Sequence, residues 1–202
     1  MDIQKKKHDD RVVHPSHGPE NAEHELKKAY NHAVEVGTVY SGRSIPGVDS
    51  SLAFLHYRKA YDAFRAGDRL SAERWARTTK HISRALWHEA KISYLAEHSS
   101  VLPYLSDARE EYNLHEYSDT TEDLLTSLAE DLPPGLDSMP REMQLFLAKG
   151  RAHLSELSSG HLKHELLRAE HIKAAHEYGR VIECMALAIG AELKRHPPRE
   201  AA

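Results

Sequence analysis

Cysteine is almost absent from this sequence, since Cys184 is the only one among 202 residues. An intrachain disulfide and a zinc site built from cysteines are therefore excluded. A lone thiol inside an apolar segment is typical of a reducing compartment, where it packs as a small hydrophobic side chain. We therefore expect a cytoplasmic protein.

Long apolar runs are also missing. No stretch reaches the ~20 apolar residues that span a bilayer as a helix, so no membrane association is expected. The first ten residues are charged and lack the apolar region of a secretory signal. Residues 1–18 include Pro15 and Gly18 and show no periodicity, which predicts a flexible polar tail.

Neither sign of charge dominates, because 27 Lys and Arg oppose 31 Asp and Glu for a formal net charge of −4. Such a chain has no global field that attracts nucleic acid, so that partner would require a local basic patch. Histidine is enriched, with 16 copies. Because imidazole titrates near pH ~6.5 and binds metals, this enrichment favours pH-dependent charge and a metal site.

Strand alternation is absent, and apolar positions recur instead at three- and four-residue steps. The segment 20–39 is the first predicted helix, with these apolar positions: Leu26, Ala29, Tyr30, Ala33, Val34 and Gly37. Helices over 52–66 and 70–97 follow, separated by Gly67 and Asp68, which suit the end of one helix and the cap of the next. The predicted buried stripe of the 70–97 helix comprises Ala72, Trp75, Thr79, Ile82, Leu86, Ala90 and Ser93.

The second half of the chain predicts further helices. The first is expected over 103–117, and the second begins at the cap residue Ser118 and ends before Pro133. Two more are expected over 138–157 and 161–193. The apolar C-terminal half of the last helix predicts a central position or an oligomer seam. We therefore predict an all-α bundle of six or seven helices built from αα-hairpins, with one domain over 19–196 and a short tail over 197–202.

The hairpin over 52–84 resembles a single tetratricopeptide repeat. Ala60 and Ala72 stand where that family places small residues, and Gly67-Asp68 resembles its turn. Thr79 and Arg84 depart from the alanine and proline that the family prefers, and no second copy follows in register. The resemblance implies helical-hairpin packing and a peptide-binding surface.

A row of basic side chains follows one face of the 70–97 helix. We call Arg74, Arg77, His81, Arg84, His88 and Lys91 the basic row. One interpretation is a solvated face, or one that docks on the acidic segment 107–137 of the same chain. The other is a binding site for an acidic or phosphate-bearing partner. Because both side chains project from the polar face, replacing Arg77 and Arg84 together by glutamate is expected to leave the fold intact.

Histidines on the last helix are candidate metal ligands. His161, His164 and His171 lie near one side of that helix, and carboxylates on a facing helix would have to complete the shell. Glu111 with His115, or Glu20 with His24, could supply them. However, the Glu-x-x-His pattern of di-metal bundles is absent from the sequence, so no cofactor is predicted and a divalent metal is retained as an alternative.

The pair Arg74 and His81 resembles the arginine–histidine motif of the HEPN superfamily of helical RNA-cleaving domains. That resemblance implies cleavage of an RNA backbone at a dimer interface, with Arg74 and His81 as catalytic residues. Trp75 departs from the small polar residue that the family prefers after the arginine.

Two classes of function remain open. The first is a non-enzymatic helical scaffold or interaction module that self-associates or binds an acidic partner protein through the basic row, with nucleic acid as a further possible partner. The second is a HEPN-like ribonuclease or a metal-binding helical-bundle enzyme.

Overall fold

The computed structural model of the chain describes residues 18–41, 49–98, 114–130, 138–158 and 164–195. Within these ranges it contains six α-helices and one short 3-10 turn, Pro19–Asn21, and no strand. The helices are α1 (Ala22–Tyr40), α2 (Ser51–Arg65), α3 (Arg69–Glu97), α4 (Leu114–Glu130), α5 (Arg141–Ser158) and α6 (Glu165–Arg195). The all-α prediction is confirmed.

The turn between α2 and α3 forms as the sequence predicts. Gly67 has a φ of 77°, a conformation that glycine adopts without a steric penalty. The carboxylate of Asp68 then accepts a hydrogen bond of 3.2 Å from the backbone N–H of Ser71, which caps α3. This tight turn makes α2 and α3 antiparallel.

Helix α3 lies at the centre of the bundle and packs against α1, α2 and α6. Its predicted buried stripe is confirmed from Ala72 to Ala90, and Ser93 is half-buried. A second side of α3, which carries His81 and His88, is also covered, because α6 runs antiparallel along it. Helices α4 and α5 pack on α6, and the apolar half of α6 around Ile182 and Met185 lies in the core.

Two predictions about the helices are wrong. Tyr30 and Val34 are among the apolar positions that predict the packed face of α1, but both are exposed. The buried face includes Glu25, Val36 and Tyr40 instead. Ser118 was expected to cap a helix, but α4 continues through it from Leu114. Hydroxyl groups inside α4, such as those of Thr120 and Thr121, donate to the carbonyl four residues earlier, which makes them compatible with a helix.

Some predictions lie outside the described residues. They concern the tail 1–17, most of the loop 41–51, the helix over 103–113, the break at Pro133–Gly135, His161 and the segment 196–202. No helix within the described ranges combines the length and the apolar character that crossing a membrane requires.

Candidate functional site

Most of the basic row lies in the interface between α3 and α6. His81 donates its Nδ1–H to Glu177 at 2.6 Å, and His88 makes the same contact with Glu170 at 2.6 Å. Both carboxylates belong to α6, and each also pairs with a second cation of the row, Arg84 or Lys91. We call these contacts the α3–α6 seam.

The N-terminal members of the row are also committed to intramolecular partners. Arg74 donates to the backbone carbonyl of Leu187 at 2.6 Å. Arg77 pairs with Glu73 and lies 4.0 Å from Glu25, and both of these carboxylates are buried. Arg77 therefore holds α3 against α1.

The acidic partners of the row differ from those expected. The sequence offers the segment 107–137, whereas the ion pairs of the described row use Glu170 and Glu177 on α6, Glu25 on α1 and Glu73 on α3. The physical reason is the antiparallel packing of α6, because its glutamates at a seven-residue spacing face α3 at the level of His81 and His88.

Burial and hydrogen bonding act in opposite directions in the seam. Burial raises the pKa of Glu177, but the hydrogen bond from His81 and the nearby cations outweigh it and hold the pKa below its ordinary value. Glu170 has a lowered pKa for the same reasons, with His88 as its main partner. Burial lowers the pKa of His81, so this ring is a neutral donor to an ionised carboxylate at pH 7.

Two members of the row remain accessible, and two aromatic residues lie beside them. The side chains of Arg84 and Lys91 are 46% and 45% exposed. Trp87 and Tyr94 are 39% and 46% exposed. These residues are spaced by three, four and three positions, so they fall within an arc of about 80° on the helix. We call Arg84, Trp87, Lys91 and Tyr94 the exposed strip.

The exposed strip alternates cationic and aromatic side chains over about three helical turns. Each of its two cations contacts a seam glutamate only at the edge of hydrogen-bonding range, at 3.7 Å for Arg84 and 3.5 Å for Lys91. The indole N–H of Trp87 has no hydrogen-bond partner among the described residues, whereas that of Trp75 donates to Glu192 at 2.6 Å. The strip therefore exposes two cations, aromatic ring surface and the indole N–H of Trp87.

The sequence analysis did not identify this arrangement, because it grouped the basic side chains of α3 and left Trp87 and Tyr94 out of the group. A signal was present, since positions 84, 87, 91 and 94 share one side of the helix and none belongs to the predicted apolar stripe.

A second group of polar residues is buried where α3, α5 and α6 meet. Glu89 accepts hydrogen bonds through one carboxylate oxygen from Tyr178 at 2.6 Å and from Lys149 at 3.1 Å. His153 lies 3.4 Å from the same oxygen through Nε2, and its Nδ1 lies 3.2 Å from Nδ1 of His171. We call these five residues the Glu89 cluster.

The Glu89 cluster includes one candidate metal ligand, His171, but it does not assemble the predicted metal site. His164 lies just before α6, where its Nδ1 accepts from the backbone N–H of Leu166. His115 pairs instead with Asp119 at an exposed position. Among the described residues no three His, Cys, Asp or Glu side chains are arranged to hold a metal ion, and His161 is not among those residues.

Arg74 and His81, the pair that resembles the HEPN motif, both contact α6. His81 is 7% exposed and faces Glu177, and Arg74 points to the carbonyl of Leu187 on α6. Each of the two side chains therefore makes a hydrogen bond within the chain that joins α3 to α6.

Comparison of the sequence with models of protein families gives no match, and comparisons with curated proteins and with solved structures also give none.

Proposed function

We propose that this protein is a cytoplasmic, non-enzymatic helical interaction module that binds an acidic protein segment through the exposed strip of α3. The observation that carries the proposal is the solvent exposure of Arg84, Trp87, Lys91 and Tyr94 on one side of α3, whose other sides pack against α1, α2 and α6. Arginine and aromatic residues are enriched where proteins bind one another.

The chemistry of the strip favours a partner that combines carboxylates with apolar side chains. Trp87 offers ring surface that a partner can bury, and Tyr94, which stacks on His98 within the same helix end, adds the exposed part of its ring. Arg84 and Lys91 lie beside those rings and can pair with carboxylates at the rim of the contact. An amphipathic helix with acidic residues next to its apolar positions combines these groups.

Nucleic acid is the less favoured partner. Binding to a phosphate backbone grows with the number of phosphates neutralised, and the strip offers two well-exposed cations. The net charge of −4 also provides no general attraction for a polyanion.

Fluorescence anisotropy tests the proposal with two labelled probes, a synthetic amphipathic helix of Glu and Leu residues and a 20-nucleotide single-stranded oligouridine. We expect saturable binding of the peptide and a loss of roughly tenfold or more in affinity when Arg84 and Lys91 are both replaced by alanine, because two charge contacts are removed.

The matched control is Arg58→Ala, since Arg58 is an exposed arginine on α2 that pairs within its own helix with Asp62. It should leave peptide affinity unchanged. An equal loss in the control, no saturable peptide binding, or tighter binding of the oligouridine that depends on Arg84 and Lys91 would each overturn the proposal, and the last result would reassign the strip to nucleic acid.

A further inference from the structure

The Glu89 cluster contains two imidazoles that face each other through the same kind of nitrogen. Nδ1 of His153, on α5, lies 3.2 Å from Nδ1 of His171, on α6. The two rings are inclined by 64° with their centroids 5.2 Å apart. A hydrogen bond between two nitrogens needs one donor and one acceptor, so this bridge contains one proton.

The position of that proton follows from Glu89. Its ionised carboxylate only accepts, so Nε2 of His153 carries a hydrogen toward it. In neutral His153 the other nitrogen, Nδ1, is then an acceptor, and His171 donates Nδ1–H to it. Glu89 on α3, His153 on α5 and His171 on α6 therefore form one directed chain across three helices.

This chain accepts one positive charge but not two. If His153 becomes an imidazolium, its Nδ1–H can donate to His171, and the bridge survives with the direction reversed. If both rings are imidazolium ions, two N–H groups point at each other at 3.2 Å, which removes the hydrogen bond and adds repulsion between like charges.

We propose that the His153–His171 pair is a proton-sensitive latch, in which one shared proton holds α5 against α3 and α6 and a second positive charge on the pair releases α5.

The surroundings of the pair determine how readily it takes up that charge. Glu89 approaches it from α3, Lys149 and Glu156 from α5, and Tyr178 from α6, while Tyr40 of α1 lies near Glu89. Burial, and then the charge of His153, lower the pKa of His171 to about 4, and Glu156 opposes them.

The direction of the pH effect follows from the difference between the pKa of His171 in the bundle, about 4, and its ordinary value of 6.5. A histidine freed from the bundle returns to a pKa of 6.5, so protons bind the released state more tightly than the latched state. The latch is therefore fully closed above about pH 6.5, weakens as the pH falls, and reaches its full weakening below about pH 4.

Hydrogen exchange followed by mass spectrometry tests the latch in the full chain at pH 7.5 and pH 5.0, after correction for the chemical exchange rate. In the native protein we expect peptides of α5 to lose protection by on the order of thirtyfold between the two pH values, the size that linkage gives for pKa values of 6.5 and about 4. Peptides of α1 should keep their protection.

The diagnostic variant is His171→Asn, because an asparagine amide can donate to His153 but cannot titrate. We expect its α5 protection to change by less than about threefold over the same pH interval. The control His115→Asn alters an exposed histidine on α4 and should behave like the native protein. Equal loss of protection in α1 and α5, or an unchanged pH effect in His171→Asn, would overturn the latch.

A second measurement does not depend on a folded variant. Long-range ¹H–¹⁵N NMR spectra of the native protein report the protonation of each ring nitrogen. At pH 7.5 one of the two Nδ1 atoms should carry a proton and the other should not. Two protonated or two unprotonated Nδ1 atoms at that pH would contradict the shared proton.

Discussion

The two tryptophans of α3 lie on sides of the helix with opposite roles. Trp75 is buried, contacts the ring of His56 in a tilted arrangement and donates its indole N–H to Glu192 of α6. Trp87, twelve residues later, is exposed between Arg84 and Lys91 and has no hydrogen-bond partner among the described residues. The role of a side chain on α3 is therefore set by its angular position relative to α1, α2 and α6. Residue type alone does not set it, since both residues are tryptophan.

The arginines of the basic row differ in the same way. The side chain of Arg77 is 13% exposed and pairs with two buried carboxylates, whereas that of Arg84 is 46% exposed. The expectation that Arg77→Glu combined with Arg84→Glu leaves the fold intact assumes that both side chains project from a polar, solvated face. The structure does not support this assumption for Arg77, because its charge is part of the contact between α1 and α3.

The largest effect is expected for Arg77→Glu. This change leaves Glu25 and Glu73 without their shared cation and adds a third carboxylate to a buried cluster. Removing one partner of a buried ion pair costs about 3–5 kcal/mol of unfolding free energy, and urea denaturation at pH 7 measures that loss. A loss below about 1 kcal/mol would mean that Arg77 is solvated like a surface charge.

A smaller effect is expected for Glu177→Gln, which keeps an acceptor for His81 but removes its charge. The difference between a charge-assisted and a neutral hydrogen bond predicts a loss of about 1–2 kcal/mol at pH 7. Because the pKa of Glu177 is lowered in the folded state, its contribution is complete above about pH 4.5 and disappears as the pH falls through the lowered value.

Urea titrations at pH 7 and near pH 3 separate this effect from a change in packing. The difference in stability between the native protein and the variant should be smaller at the lower pH. A difference that stays constant between the two pH values would assign the loss to packing.

The smallest effect is expected for Arg84→Glu. An exposed ion pair contributes about 0–1 kcal/mol, so the unfolding free energy should change by no more than that amount. The same variant should weaken binding of the acidic peptide, and this combination distinguishes the exposed strip from the seam. A destabilisation as large as that of Arg77→Glu would show that Arg84 also supports the fold.

The fold was largely predictable from local signals. The six described helices follow the three- and four-residue steps of apolar residues, and the turn at Gly67-Asp68 follows from two residues whose conformational and capping preferences are specific. The buried stripe of α3 from Ala72 to Ala90 was recovered because its periodicity is strong.

The candidate sites were less predictable, because they depend on contacts between distant parts of the chain. The pattern of α3 reveals a polar side but not that Glu170 and Glu177 cover most of it. His153 and Glu89 carried no local signal of a shared site, since 64 residues separate them in the sequence. Helical periodicity reports which residues share a face, but the neighbouring helix decides whether that face is exposed.

The exposure of Trp87 at the binding surface is tested most directly in the Trp75→Phe variant, where Trp87 is the only tryptophan that remains. Its fluorescence should be quenched readily by acrylamide, and saturation with the acidic peptide should protect it. The reciprocal Trp87→Phe variant should report a shielded Trp75 in both states. Quenching of Trp87 that is already weak in the free protein, or that stays unchanged at saturating peptide, would contradict the assignment of the exposed strip as the binding surface.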